Sequence, residues 1–173
     1  MKKGKVLLVT PNLKGSETGL NRIQPSLGLM LIAPILEQNG FEVKIYDSAL
    51  DGWNNRKIVD KKNQIVLIGQ TDENISKVIS DFSPDIVAIS VLFSNLLESA
   101  HNIAKLVKKV NKNIFTFLGG NHISSAVSDY QYAKSIPNSG LPEEIEDLEN
   151  DHFDCALIGE GEFSVLEICQ KLI

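Results

Sequence analysis

Cysteine is scarce in this chain: Cys155 and Cys169 are the only two in 173 residues. Two thiols cannot build a disulfide framework. With three scattered histidines, His101, His122 and His152, they offer no zinc-ligand spacing either. A reducing compartment is the simple expectation. No apolar run reaches the ~18 residues that a membrane span needs. The first residues, Met1 to Lys5, are basic like a signal peptide, but the apolar stretch behind them, Val6 to Val9, is too short and is soon followed by Pro11. A cytoplasmic location with no membrane partner is therefore expected. Positive charge is also in short supply: 17 basic against 22 acidic residues leave a net charge of -5. Nucleic-acid binding needs a concentrated positive field, so this balance argues against a nucleic-acid partner.

Several common site motifs are missing too. The loop after the first apolar run holds only Gly15 and Gly19, too far along for a G-x-G-x-x-G dinucleotide fingerprint. There is no Walker A loop and no serine in a G-x-S-x-G elbow. A phosphoacceptor domain needs acidic residues after its first strand and an aspartate after its third. Thr10, Asn12 and Ser90 stand there instead.

What the chain does have is a regular alternation of short apolar runs and amphipathic stretches. Val6–Val9 reads as a strand buried on both faces. Ser26 is a plausible cap for a helix from Leu27 through Leu36, closed by Gly40, with Pro34 expected to kink it or shift its start. Phe41–Tyr46 reads as the second strand. The stretch from Asp47 to Gln70 is long, polar and irregular, with Val66–Ile68 as a short extra strand. Thr71 then caps a helix to about Phe82. Asp85–Val91 is the third strand, and Ser94 or Asn95 caps a helix to about Val110. Ile114–Leu118 is the fourth strand, with a helix over 123–133, a loop over 136–141 and a short acidic helix over 142–149. Cys155–Ile158 is the fifth strand, ahead of a last helix. Five such β-α units define an α/β fold. The expected architecture is a flavodoxin-like, doubly wound, five-stranded parallel sheet of order 2-1-3-4-5, with helices on both faces, forming one domain over 1–173.

In such a sheet a ligand sits beyond the carboxyl ends of the strands. The loops there contain Pro11 and Asn12 after the first strand, and Ser90, Leu92 and Ser94 at the third. Gly119, Gly120, Asn121 and His122 follow the fourth, and Gly159, Glu160 and Gly161 the fifth. Small residues recur where a bulky ligand would approach the backbone. These residues are the candidate cofactor-binding set. Each also has a purely structural reading: Ser90 as a buried hydroxyl bonded to backbone, the glycine pair as a tight turn, Glu160 and Glu162 as helix N-terminal charges. Trp53 packs its long loop or meets a neighbouring domain.

Five segments in order resemble the cobalamin-binding domains of radical-SAM enzymes. They are Pro25-Ser26-Leu27-Gly28-Leu29 with Gly40-Phe41-Glu42-Val43, Leu67-Ile68-Gly69 leading to Thr71-Asp72-Glu73-Asn74-Ile75, Pro84 to Ser90, Gly119-Gly120-Asn121-His122, and Ile158-Gly159-Glu160-Gly161-Glu162. The nearest subgroup includes anaerobic magnesium-protoporphyrin ester cyclases and related methyltransferases. The resemblance implies a cobalamin whose corrin rests over the carboxyl edge of the sheet. Ser90 and Leu92 match the Ser-x-Leu segment flanking the dimethylbenzimidazole, Gly119 and Gly120 the pair that lets the nucleotide tail pass, and Gly159 to Glu162 the border of the same pocket. Mutase-type relatives carry Asp-x-His-x-x-Gly after the first strand, with the histidine on cobalt. The loop from Leu13 to Gln24 has no histidine, so the resemblance implies base-off cobalamin without a protein histidine ligand, and no metal-ligating residue is assigned.

The radical-SAM partner chemistry needs a C-x-x-x-C-x-x-C motif for a 4Fe-4S cluster and S-adenosylmethionine. Cys155 and Cys169, fourteen positions apart, cannot supply it. The partner is thus expected to be a radical-SAM domain downstream of Ile173, acting on a small-molecule substrate by methyl transfer or radical cyclisation. This domain would bind and not catalyse, so no catalytic residue is assigned. Two alternatives stay open at this stage. One is a docking or regulatory domain that has lost its cofactor. The other is a flavin- or nucleotide-binding domain using Gly15, Ser16, Thr18 and Gly19.

Overall fold

The computed structural model describes residues 3–135 and 152–173. In chain order it runs β1 (Lys5–Thr10), β2 (Leu13–Ser16), α1 (Leu27–Gln38), β3 (Glu42–Asp47), α2 (Ser48–Asp51), β4 (Arg56–Asp60), β5 (Ile65–Ile68) and α3 (Asp72–Phe82). Then come β6 (Ile86–Ser90), a single 3-10 turn (Ser94–Leu96), α4 (Leu97–Val110), β7 (Phe115–Gly119), α5 (Asn121–Lys134), β8 (Cys155–Ala156) and α6 (Gly161–Leu172). The loop and acidic helix read from the sequence over 136–149 lie outside the described residues.

The main sheet has five strands in the order β3-β1-β6-β7-β8. All its pairings are parallel. Renumbered among themselves, these strands follow 2-1-3-4-5, the doubly wound order expected from the β-α repeat. The strands alternate side chains between two cores. Leu7, Val9, Val87, Ile89 and Leu118 pack with Ile75 and Ile79 of α3 and Ile103 and Val107 of α4. Val6, Leu8, Ile86, Ala88 and Phe117 pack with Leu29, Ile32 and Leu36 of α1 and Val165 and Cys169 of α6. A strand covered on both faces has no polar side, which is why β1 and β6 read as unbroken apolar runs. Truncating one of these fully buried leucines or isoleucines to alanine costs about 2–5 kcal/mol.

Thr71 caps α3 as read from the sequence, its hydroxyl accepting the Asn74 N–H at 3.3 Å. The end of α1 is also as expected. Gly40 has a φ of +90°, and the amides of Gly40 and Phe41 donate to the carbonyls of Glu37 and Leu36. This pair of bonds is a Schellman motif, which needs the left-handed residue.

Other expectations need correction. Ser26 precedes α1 but makes no side-chain capping bond, and its hydroxyl is buried without a partner. Helix α1 runs on through Pro34; Pro34 is exposed, so water can satisfy the carbonyl whose helical donor it removes. Neither Ser94 nor Asn95 caps α4, because a 3-10 turn precedes it. The Asn95 amide instead donates to the Lys14 carbonyl at 3.0 Å. The fifth strand is only two residues long. It is held by Asp154, whose carboxylate accepts from Thr116 N–H at 2.7 Å and Lys108 Nζ at 2.6 Å.

The polar stretches flanking α1 and β3 hold a second, three-stranded antiparallel sheet of order β2-β5-β4. Only its central strand, β5, carries an apolar signature. Asn12 fastens this sheet to the main one. Its Oδ1 accepts from Ser48 Oγ at 2.6 Å and from Gln70 N–H at 3.0 Å, and its Nδ2 donates to the Gln70 carbonyl at 2.8 Å.

Candidate ligand cavity at the carboxyl edge of the sheet

A cavity of about 380 Å³ opens where β6 and β7 end, between α1 and α6. Its inner walls are apolar: Leu29 and Ile32 from α1, Ala88 from β6, Phe117 from β7, Leu157, and Val165 from α6. Its polar lining is Ser90, which is buried, with Asn121, Ser124, Glu160 and Glu162. Three helices begin at this cavity, contributing Gly28 of α1, Asn121 of α5 and Gly161 of α6. Unpaired amides and the dipole at a helix start favour a negative group such as a phosphodiester. An apolar slot beside helix N-termini suits a flat heterocycle.

Eight of the twelve candidate residues meet in this cavity: Ser90, Leu92, Gly119, Gly120, Asn121, Gly159, Glu160 and Gly161. The other four lie elsewhere. Pro11 borders a second cavity at the ends of β1 and β3. Asn12 is engaged in the clip to Ser48 and Gln70. Ser94 lies at a third depression beside α4. His122 stands in the first turn of α5, its amide donating to the Val91 carbonyl at 3.1 Å; its Nε2 is buried without a partner.

The glycines divide by cause. Gly120 has a φ of +109°, and a Cβ there would lie 2.5 Å from the Val91 carbonyl oxygen. The crossing of the two strand ends alone demands glycine at that position. At Gly119 a Cβ would make ordinary contact with Leu157 at 3.7 Å. Gly28 is more telling. It is the second residue of α1 and exposed, in the first turn, where the helix-interior cost of glycine, about 1 kcal/mol relative to alanine, is an upper bound. A Cβ there meets nothing within 4 Å. The fold does not need this glycine, and it borders the cavity. Ser90 is buried in the wall, and its hydroxyl has no hydrogen-bond partner among the described residues. Both features fit a bound group in the slot.

Sequence reasoning missed Gly28, Leu29 and Ile32 as wall residues, although Gly28 and Ile32 are four apart on one helix face. It also missed Ser124, whose hydroxyl accepts the Gly159 N–H at 2.9 Å and so ties the last loop to α5. Ser124 lies in the first turn of α5, four residues beyond Gly120. The segment from Gly15 to Gly19, weighed as a phosphate loop, is instead part strand and part turn. Asn21 closes that turn by accepting the Ser16 N–H at 3.0 Å and donating to its carbonyl at 2.7 Å.

A doubly wound α/β domain with a slot at the carboxyl edge of its sheet is thereby defined. Residues 20–135 match the family model of the B12 binding domain, and the chain belongs to that family. It is 35% identical over 162 residues to cytidylyl-2-hydroxyethylphosphonate methyltransferase of Streptomyces wedmorensis, covering 94% of this chain and 27% of that protein. It is 27% identical over 176 residues to an uncharacterized methyltransferase of Pyrococcus horikoshii, covering 99% of this chain and 30% of that protein. The chain thus spans between a quarter and a third of the length of these curated relatives.

Among solved structures, a cobalamin-binding protein from Desulfitobacterium hafniense superposes with a TM-score of 0.52 at 16% identity, covering 99% of this chain and 60% of that one. The methanol:cobalamin methyltransferase complex of Methanosarcina barkeri gives a TM-score of 0.56 at 11% identity, covering 99% of this chain and 47% of that one. Likeness at these identities speaks to the fold. No described helix is long and apolar enough to cross a membrane.

Proposed function

We propose that this domain holds cobalamin in a base-off state, with the nucleotide tail in the slot between α1, α6 and the ends of β6 and β7, and that it presents the corrin to a radical-SAM domain for methyl transfer. The observation that carries the reading is the slot itself: apolar in its walls, with polar groups in its lining, bordered by three helix starts and by Gly28, a helical glycine the fold does not require. Ser90 would hydrogen-bond the buried heterocycle, and the amides of α5 and α6 would hold the phosphodiester. Bound cobalamin supplies a cobalt centre able to carry a methyl group. This chain's own residues bind and orient it. Ile158 and Phe163, 55% and 80% exposed, adjoin slot residues in sequence and would offer apolar surface to a macrocycle lying across the mouth.

Methyl transfer is favoured over radical cyclisation because the curated relatives are named methyltransferases. The radical-SAM domain, its 4Fe-4S cluster and S-adenosylmethionine would belong to the remainder of a longer polypeptide, acting on a small-molecule substrate. The loop from Leu13 to Gln24 offers no histidine to cobalt. The test is a visible-absorbance titration with hydroxocobalamin followed by gel filtration. Retention with a base-off spectrum is expected. A retained base-on spectrum would refute burial of the tail, and no retention would refute the reading. For the radical-SAM assignment, the longest natural form of the protein is reconstituted with iron and sulfide and given S-adenosylmethionine under reducing conditions. Formation of 5′-deoxyadenosine is the expected outcome.

A further inference from the structure

The carboxyl edge carries a second cavity, apart from the slot. It has a volume of about 210 Å³ and lies at the ends of β1 and β3. Leu13, Ala49 and Leu96 make part of its wall apolar, while Thr10, Arg22 and Asp47 bring polar groups to it. Leu92 borders this cavity and also the tail slot. The two spaces therefore adjoin at Leu92.

The polar groups narrow what fits. Arg22 only donates hydrogen bonds, and Asp47, when ionised, only accepts them. No ion pair joins the two among the described residues. Asp47 uses one oxygen to accept the Leu50 N–H at 2.9 Å. Burial of this carboxyl pushes its pKa up, against the lowering effect of the Leu50 and Ala49 amides. Thr10 Oγ1, able to donate and accept, is buried with no partner; its residue is only 9% exposed. A simple anion would meet Asp47, and a simple cation would meet Arg22. A neutral group that donates and accepts at one end of a short aliphatic stem satisfies all three and the apolar wall. A primary carboxamide, with an N–H donor and a carbonyl acceptor, meets that description.

We infer that this second cavity seats a carboxamide side arm of the corrin ring, while the nucleotide tail fills the slot across Leu92. The inference rests on the cobalamin reading above. Corrins bear acetamide and propionamide arms around the ring, so the ligand offers the right chemistry beside its tail.

The test uses the full chain and equilibrium dialysis with two probes: hydroxocobalamin, and dicyanocobinamide, which keeps the amide arms and lacks the nucleotide tail. Thr10→Val keeps the shape and removes the hydroxyl. Arg22→Gln changes an exposed side chain that folding does not need. Each should weaken both probes about three- to tenfold, the range for one lost hydrogen bond. Thr10→Ser should restore wild-type affinity. Gly28→Leu, in the slot, should weaken hydroxocobalamin alone. The ligand-free Thr10→Val protein should melt no lower than wild type, because the hydroxyl it removes has no partner. A purely structural role for Thr10 would lower that melting temperature.

If the wild type binds hydroxocobalamin and the Thr10→Val and Arg22→Gln variants match it, the side-arm site is overturned and the cobalamin reading stands. The site is likewise overturned if their losses spare dicyanocobinamide, or if the wild type retains no dicyanocobinamide at all. If the wild type retains neither corrinoid, the cobalamin reading itself fails.

Discussion

At the residue scale, two glycines of one cavity answer to different forces, and substitution separates them. Gly120 is held by backbone, since a Cβ would sit 2.5 Å from the Val91 oxygen at a φ of +109°. Gly120→Ala should destabilise the protein by about 1–3 kcal/mol or more, seen as a lower denaturation midpoint with or without ligand. Gly28 has the opposite balance. Gly28→Ala, in the first turn of α1, should stabilise the ligand-free protein slightly, by at most about 0.5–1 kcal/mol, and yet reduce cobalamin retention. Urea melts and dialysis on the same variant read both signs, and a stabilised variant that binds normally would clear Gly28 of any site role. Cys169 gives a pH dependence at the same scale. It is fully buried, and desolvation pushes its thiol from 9.0 to about 12. Between those values the unfolded chain has lost the proton and the folded chain keeps it, so stability falls as pH rises through the window. Cys169→Ala has no proton to lose there. Its melting temperature should start below wild type at pH 8 and approach it as pH rises above 9. The same burial makes Cys169 slow to alkylate in the native state.

At the scale of elements, the small sheet depends on one side chain. Asn12→Ala would leave the Ser48 hydroxyl without its acceptor and the Gln70 carbonyl without its side-chain donor, while the Gln70 amide keeps the Ser48 carbonyl at 3.0 Å. Losing those partners in a buried setting costs about 1–3 kcal/mol. Hydrogen exchange should show the Ile65–Ile68 amides opening at lower free energy than those of β1, and uniform protection across both sheets would refute the clip. This sheet is also where the sequence was least legible. The main-sheet strands β1, β6 and β7 announce themselves because burial on both faces makes most of their residues apolar, with polar exceptions such as Thr116. Strands β2 and β4 are partly or wholly exposed, so neither shows alternation nor an apolar run. Their identity comes from antiparallel pairing with β5, a relation between distant segments that no local window contains. The capping errors have the same origin. Ser94 and Asn95 have the right composition for a cap, yet the bond from Asn95 to Lys14 draws that residue toward β2. The slot was readable to the extent that its residues sit directly after strands. Its α1 wall was not, because a helix face meets the strand ends only once the sheet is wound.

At the scale of the whole molecule, fold and site couple through linkage. The slot lies between α1 and α6 on one face and the ends of β6 and β7 beneath them, and it is lined by core residues such as Leu29, Ile32, Phe117 and Val165. A ligand that fills it adds contacts that tie the two helices to the strand ends. Binding to the folded state alone stabilises it by about 2.7 kcal/mol at a free ligand concentration of roughly 100 Kd. In a chain of 173 residues, each kcal/mol moves the melting temperature by about 2–4 °C. Hydroxocobalamin at that ratio should therefore raise the melting temperature by about 5–11 °C. Mass action sets that figure for any ligand at the same ratio, so the comparison that bears on the slot is made at equal concentration. There dicyanocobinamide, without a tail to place between α1 and α6, should give the smaller shift. Equal shifts at equal concentration would mean that the corrin alone carries the affinity and that the slot stays empty. A larger shift for the tailed corrinoid, lost in Gly28→Leu, would locate the binding free energy between the two helices.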